Sequence, residues 1–496
     1  MSRLIRLDPR DNVAVALTDL RAGETVSVSG RHLILPGDIG AGHKAALDEI
    51  PPGGVVVKYG YPIGAARQRI RPGAWVHTHN LESRLGGRRE YSYNPAPPAS
   101  LPQGECMTFG GFRRPDGQVG TRNEIWVIPT VGCVNQVAEN LVWAARRELG
   151  DMAGVDGFHA LRHPYGCSQL GEDHRNTQRL LAALARHPNA AGVLILGLGC
   201  ENNNIATFSL HLGGVEPHRV RFLVAQDVED ELASGLKLLR ELAACAAGFR
   251  REECPLADLK VGLKCGGSDG FSGITANPLA GLVADRVIAC GGTAVLTEVP
   301  EMFGAETVLM NRARDEAVFG RIVDLINSWK EYYTSHGLPV YENPSPGNKE
   351  GGLTTLEEKS LGCVQKGGRA PVEDVLPYGG RCRKKGLNLL SAPGNDPVSS
   401  TALAAAGCQI ILFTTGRGTP LGTCVPTLKV ASNHAVFIRK PHWFDFDAGR
   451  ILAGEEVVPL AEELLGQVAD VASGRATKAE LLGCRETAVF KSGVTL

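Results

Sequence analysis

The 496-residue sequence has no apolar run near the ~20 residues that a membrane helix needs, and it has no C-x-x-C pair. The first absence argues against a helical membrane span. The second leaves a zinc finger or a thioredoxin-type redox motif unsupported. An excess of one charge is also missing, because 52 Lys and Arg face 53 Asp and Glu. Neither nucleic acid nor a membrane surface is therefore expected as a partner. The stretch MSRLIRLDPRDN is broken by Asp8 and Asp11 before any signal-length apolar core can form, so a cytoplasmic location is expected. The 13 cysteines are odd in number and widely spread, which favours reduced thiols over a disulfide scaffold. No fixed-period repeat appears.

What is present reads as a globular protein of two to four units, with 43% hydrophobic and 21% charged residues. Residues 1–88 alternate short runs (NVAVAL, TVSVSG, VVVKYG) with Gly and Pro, the pattern of a small all-β domain. The proline-rich stretch YSYNPAPPASLPQG reads as a linker, placed at 89–105. Beyond it, IWVIPTVGC, AGVLILGLGC, LKVGLKCGG and GGTAVLTEVPE look like buried strands with glycine-rich exits, separated by helical stretches. This alternation predicts α/β units built on parallel sheets, Rossmann-like in style, over 106–254 and 255–496.

In open α/β sheets ligands bind outside the carboxyl ends of the strands, so the strand exits hold the candidates. Cys133, Cys200 and Cys265 follow glycines there, and Cys167 sits in HPYGCSQLGEDH. Each reads either as a small core residue or as a soft metal ligand. His43, His77 and His79 form a competing imidazole set, with the last two placed to share one face if VHTHN is a strand. GLGCENN and GRGTPLG fail as dinucleotide loops, the first at Asn202 and the second at Pro420. Arg417, between two glycines, suits a carboxylate clamp. The polar segments 265–278 and 344–355 offer Ser268, Asp269, Asn277, Asn348 and Lys349 as further site residues, and Thr419 follows Arg417.

Long strings then identify a family resemblance: KYGYPIG with VHTHN, DGQVGTRNEIWVIPTVGCVNQ, KCGGSDGFSGITANP, ENPSPGNKEGGLTTLEEKSLGC, TTGRGTPLGTCVPTLK and FKSGVTL. The chain resembles the altronate/galactarate dehydratases from about Asp11 to Leu496, and VHTHN, SLGCVQK and FKSGVTL resemble the altronate branch. The resemblance implies a SAF (β-clip-like) first domain and loss of water from D-altronate to give 2-dehydro-3-deoxy-D-gluconate in hexuronate breakdown. It also implies ferrous iron, or manganese, as activator.

Chemistry rather than the family suggests the roles. Proton transfer falls to His43, His174 or Lys349, with Glu201, Asp269 and Glu298 binding hydroxyls or orienting ligands. The metal falls to Cys133, Cys167, Cys200 and Cys265, or to the histidines. An iron–sulfur centre on three of the cysteines, a dehydratase for another sugar acid such as galactarate, and a non-catalytic sugar-acid sensor are the rival readings. The partner is a small sugar acid, and a homo-oligomer is left open.

Overall fold

The computed structural model describes residues 3–97, 99–150, 152–214 and 218–496. Residues 4–82 build antiparallel sheets. Leu4–Ile5, Val13–Ala16, Lys44–Ala46 and Trp75–Val76 pair side by side, next to a hairpin of Thr25–Val28 with Arg31–Ile34. A third sheet joins Val55–Lys58, Tyr61–Ala66 and Leu81–Glu82. Val26, Val28 and Leu33 turn inward while their neighbours face solvent, the period-two signature of a one-sided sheet. This is the expected all-β unit.

The body holds two parallel sheets. Strands β1 (Glu124–Pro129), β2 (Gly157–Ala160), β3 (Ala190–Gly197) and β4 (Val220–Val224) lie in the order β2-β1-β3-β4. Strands β5 (Lys260–Cys265), β6 (Thr293–Leu296), β7 (Val372–Leu376), β8 (Gly386–Leu390), β9 (Ile410–Thr415), β10 (Thr427–Ala431) and β11 (Phe446–Asp447) lie in the order β7-β8-β6-β5-β9-β10-β11. Every pairing in both sheets is parallel. Strands β1, β3, β8 and β9 are buried along their whole length, because helices cover both faces.

One core joins the sheets. Trp126, Ile128, Val193 and Ile195 from the smaller sheet pack in one cluster with Val295, Leu390, Ile411 and Phe413 from the larger. Helix α1 (Asn135–Leu149) covers the other face of the smaller sheet, while α2 (Gly171–Ala185) lies between the sheets. Helix α3 (Ile205–Leu212) follows β3. No helix among the described residues is long and apolar enough to cross a membrane. One disulfide, Cys106–Cys290, ties the start of the body, just past the linker, to the end of helix Ala276–Ala289; reduced thiols, expected in place of a disulfide scaffold, are found at the other cysteines and not at this pair.

Both sheets reverse strand order once. From β5 the chain steps outward to β6 and later returns on the other side at β9; from β1 it steps to β2 and returns at β3. A crevice opens at each reversal.

Candidate active site

At the β5/β9 reversal the exit of β5 runs through Gly266, Gly267, Ser268 and Asp269. The Asp269 carboxylate accepts hydrogen bonds from Ser272 N (2.9 Å), Ser272 Oγ (2.8 Å), Ser432 Oγ (2.8 Å) and Asn433 Nδ2 (2.9 Å). It is a fixed acceptor rather than a free base. A Cβ on Gly416 would lie 2.2 Å from Asp269 Cγ, so the β9 exit reaches this carboxylate only as glycine. Asn348 Nδ2 donates to Ser268 O at 2.8 Å, and the buried Ser268 hydroxyl has no partner among the described residues. Arg417 is exposed and pairs with Glu350 at 3.0 Å. The first domain closes over this edge: a Cβ on Gly270 would stand 2.0 Å from Gly42 O, and one on Gly352 (φ +102°) 2.3 Å from the same oxygen.

Beneath the edge lies a buried ionic cluster. Lys264 contacts both Glu298 and Asp396, Lys359 bonds Glu301 at 2.8 Å, and Lys366 donates to Cys265 Sγ at 2.9 Å and pairs with Glu298 at 3.2 Å. Three ammoniums thus face three carboxylates. Burial opposes the charge on Glu301, but Lys359, Lys264 and Lys366 outweigh it and hold its carboxyl well below the usual range. A hydrogen bond with Cys265, then burial, pushes the Cys363 thiol well up. Glu298 holds this place with left-handed backbone (φ 70°, ψ 55°), a conformation that costs a non-glycine residue about 1–2 kcal/mol. Such strain persists only where the surroundings impose it.

Cys265, Glu301 and Cys363 lie within ligand distance of one another. Their positive charge is already supplied, however, by the lysine on Cys265 and the two beside Glu301. A dication added there would meet three ammoniums, so the set does not fit a metal.

The histidines do not fit one either. Trp75 Nε1, which can only donate, bonds His43 Nδ1 at 3.1 Å. Neutral His43 therefore carries its proton on Nε2, which faces Glu350 O at 3.2 Å, and both nitrogens are engaged. Burial and the Lys44 charge keep this imidazole below its ordinary pKa. His77 lies in a turn after Trp75–Val76 rather than on a strand; it is buried while His79 is exposed. The shared face expected of VHTHN is not formed. Burial, then the Lys44 charge, brings His77 down to about 4, and its Nδ1 meets Thr354 Oγ1 at 2.9 Å. Lys44 in turn donates to Thr354 Oγ1 at 2.9 Å and Glu358 at 2.8 Å, while Lys58 takes the other Glu358 oxygen at 2.8 Å. Burial presses Lys44 down to about 8.

Other candidates separate. Asn277 is spent on Gly362 O (3.0 Å) and Thr414 Oγ1 (2.6 Å). Thr419 bonds Leu421 N through its side chain and Lys429 through its carbonyl, apart from the Arg417 pair. Lys349 borders a cavity of about 430 Å³ with Thr78, Ser83, Tyr341 and Thr354. Cys133, Cys167, Cys200, Glu201 and His174 all belong to the smaller sheet, so the four-cysteine set splits, with Cys265 buried in the larger. Glu201 accepts from Thr130 Oγ1 (2.6 Å), Gly199 N (2.6 Å) and Leu198 N (3.0 Å). These bonds outweigh burial and hold it below its usual pKa as a strap. Sequence reasoning missed Lys264, Lys359, Cys363 and Lys366. The signal was there: 359, 363 and 366 share one helical face in EKSLGCVQK, and charged groups at core spacing imply buried partners.

Three family models match the chain: the altronate/galactarate dehydratase SAF domain over 2–84, the D-galactarate dehydratase/altronate hydrolase second domain over 111–247, and the D-galactarate/altronate dehydratase C-terminal domain over 256–495. The chain is 54% identical to an altronate dehydratase of Bacillus subtilis, covering 100% of both chains. It is 50% identical to an altronate dehydratase of Escherichia coli over 99% of each. A galactarate dehydratase (L-threo-forming) of Escherichia coli is 34% identical, over 95% of this chain and 93% of that one. Over its whole length, therefore, the chain belongs to the altronate/galactarate dehydratase family of hydro-lyases.

Proposed function

We infer that the chain removes water from D-altronate to give 2-dehydro-3-deoxy-D-gluconate, in the cytoplasm, at the edge where β5, β9 and the first domain meet. The observation that carries the substrate is the identity gradient: 54% and 50% to altronate dehydratases against 34% to a galactarate dehydratase. In this reading Arg417 leaves Glu350 and takes the substrate carboxylate bidentately. The free Ser268 hydroxyl binds a substrate hydroxyl, and Lys349 accepts the C2 proton from the cavity side. The C3 hydroxyl leaves as water with one proton, and the enol ketonises at C2. The C2 carbanion adds charge next to a carboxylate, which Arg417 and Lys349 offset. His43 and His174 drop out as bases, the first by its two hydrogen bonds and the second by its place on α2.

Iron finds its fitting donors elsewhere: Cys133, Cys167 and Cys200 are exposed soft ligands, better suited to iron than to manganese. Bound there, iron supplies a Lewis-acid centre.

The test is the formation of 2-keto-3-deoxy acid from a panel of aldonates and aldarates. Altronate should exceed galactarate in kcat/KM; the reverse order would reject the substrate. Arg417→Ala should raise KM for altronate about 10- to 100-fold, as loss of a charged hydrogen bond of ~1.5–3 kcal/mol implies. An unchanged KM would remove the clamp.

A further inference from the structure

The larger sheet has a second edge, at the amino ends of its strands and opposite the exits described above. Three strands start in register there: Lys260 of β5 pairs with Thr293 of β6, and Thr293 with Gly386 of β8. The basic run RCRKK (381–385) leads into Gly386. At these starts lies a cavity of about 280 Å³, bordered by Lys260, Thr293, Arg383, Lys384 and Lys385.

Two half-buried cations at this edge lack a carboxylate. Lys260 Nζ donates to Cys382 O at 3.1 Å, and Arg381 donates to Ala183 O at 3.2 Å and Gln118 Oε1 at 2.5 Å. Neither joins an ion pair among the described residues. Both reach one glycine: a Cβ on Gly407 (φ +98°) would lie 3.7 Å from Lys260 Nζ and 3.9 Å from Arg381 Nη2. Burial, with the charges of Arg381 and Lys385, holds the Lys260 amine below its ordinary pKa. Burial, then Arg186 and Arg219, brings Arg381 down to about 10. Charges taken out of water are normally paired, and here the chain supplies no partner.

The carboxylates nearby are committed. Asp116 accepts from Gln118 N (3.1 Å) and Gln118 Nε2 (2.5 Å), and Asp258 pairs with Arg113 at 3.3 Å. Asp374, 3.6 Å from Lys384, pairs with Arg321 at 2.9 Å. Along the cavity wall four cationic side chains face only Asp116 and Asp258, a surplus of two positive charges. The Thr293 hydroxyl on the same wall is buried and has no partner among the described residues. Such groups are rare unless something bonds them, and an oxygen in the cavity is the acceptor it lacks.

We propose that this cavity binds a small phosphorylated anion, with Lys260 and Thr293 donating to its oxygens from the buried side and Arg383 from solvent. A phosphate monoester carries about −1.5 to −2 charge at pH 7, which matches the surplus, whereas a carboxylate brings one charge. The site is separate from that of the dehydration. Lys260 and Cys265 end the same six-residue strand, roughly 16 Å apart at ~3.3 Å per residue.

Isothermal titration calorimetry of the full chain tests this, with inorganic phosphate, glycerol 3-phosphate and acetate as probes at constant ionic strength. One phosphate should bind per chain, and the tighter of the two phosphates identifies the free ion or the monoester as the source. Lys260→Met should weaken binding about 10- to 100-fold, the loss of one charged hydrogen bond. Arg383→Ala, on the exposed side, should weaken it as well, and it carries the test if Lys260→Met does not fold. Arg417→Ala should bind phosphate as the parent does, and altronate turnover by Arg383→Ala should be unchanged. Phosphate should raise the melting temperature of the parent and not that of Lys260→Met. No saturable binding of either phosphate, acetate bound as tightly, unchanged affinity in both cavity variants, or binding lost in Arg417→Ala would overturn the site.

Discussion

Glu358 is the residue on which the contact between the first domain and the body depends. Burial opposes its charge, but Lys44 and Lys58 outweigh it and hold it at about 2. Removing the charge alone would leave two buried ammoniums facing each other, and uncompensated buried charge typically costs ~3–5 kcal/mol. Glu358→Gln should therefore lower stability by about that amount in urea titration, and a loss under ~1 kcal/mol would show that the lysines find water. Gly416 makes a steric claim of the same scale. Gly416→Ala places a methyl 2.2 Å from Asp269 Cγ, and overpacking of this kind costs ~1–3 kcal/mol. The Asp269 carboxylate should move, so turnover is expected to fall more than the melting temperature.

One short helix, Leu356–Cys363, supplies both ionic clusters: Glu358 faces the first domain, Lys359 reaches Glu301, and Cys363 meets Cys265. Its start is set by Thr355, whose hydroxyl accepts from Glu358 N (3.3 Å) and donates to Ile63 O (2.5 Å) in the first domain. Thr355→Ala should cost ~1–2 kcal/mol for the lost cap. Thr355→Ser should recover most of it, as chemical denaturation of the pair would reveal. The helix was legible in LEEKSLGC only as a polar segment, because its glutamates and lysines look like those of a solvated face. Their burial follows from partners up to about 300 positions away in the chain.

Across the whole molecule, pH acts on the joint between domains. Glu358 has a folded pKa of about 2 against an ordinary 4.5. Its contribution is complete above pH 4.5 and is lost as pH falls from 4.5 towards 2, on the order of 3 kcal/mol in all. His77, held at about 4 against 6.5, resists protonation in the fold and so adds a penalty as pH falls from 6.5 towards 4. Acid should therefore loosen the first domain before the parallel sheets. Amide hydrogen exchange near pH 4 should speed up first at Lys44–Ala46 and Trp75–Val76; simultaneous exchange in β5 would contradict a separable joint.

The fold class was legible in the sequence because its signals are local: period-two strands before the linker, then continuous apolar strands between helices, with glycines at their exits. The family was legible because long strings are specific. The grouping of site residues was not. Cys133, Cys167, Cys200 and Cys265 look alike in sequence, yet strand order puts three at one reversal and buries the fourth beside Lys366 in another sheet. Spacing suggested paired histidines, but a turn after Val76 parted them and a tryptophan donor closed His43. Which strand lies beside which, and which charges share a buried site, are contacts between distant segments. The sequence by itself determined the elements and the kin; only the tertiary structure decided which strand exits meet, because sheet order is set by packing rather than by local chemistry.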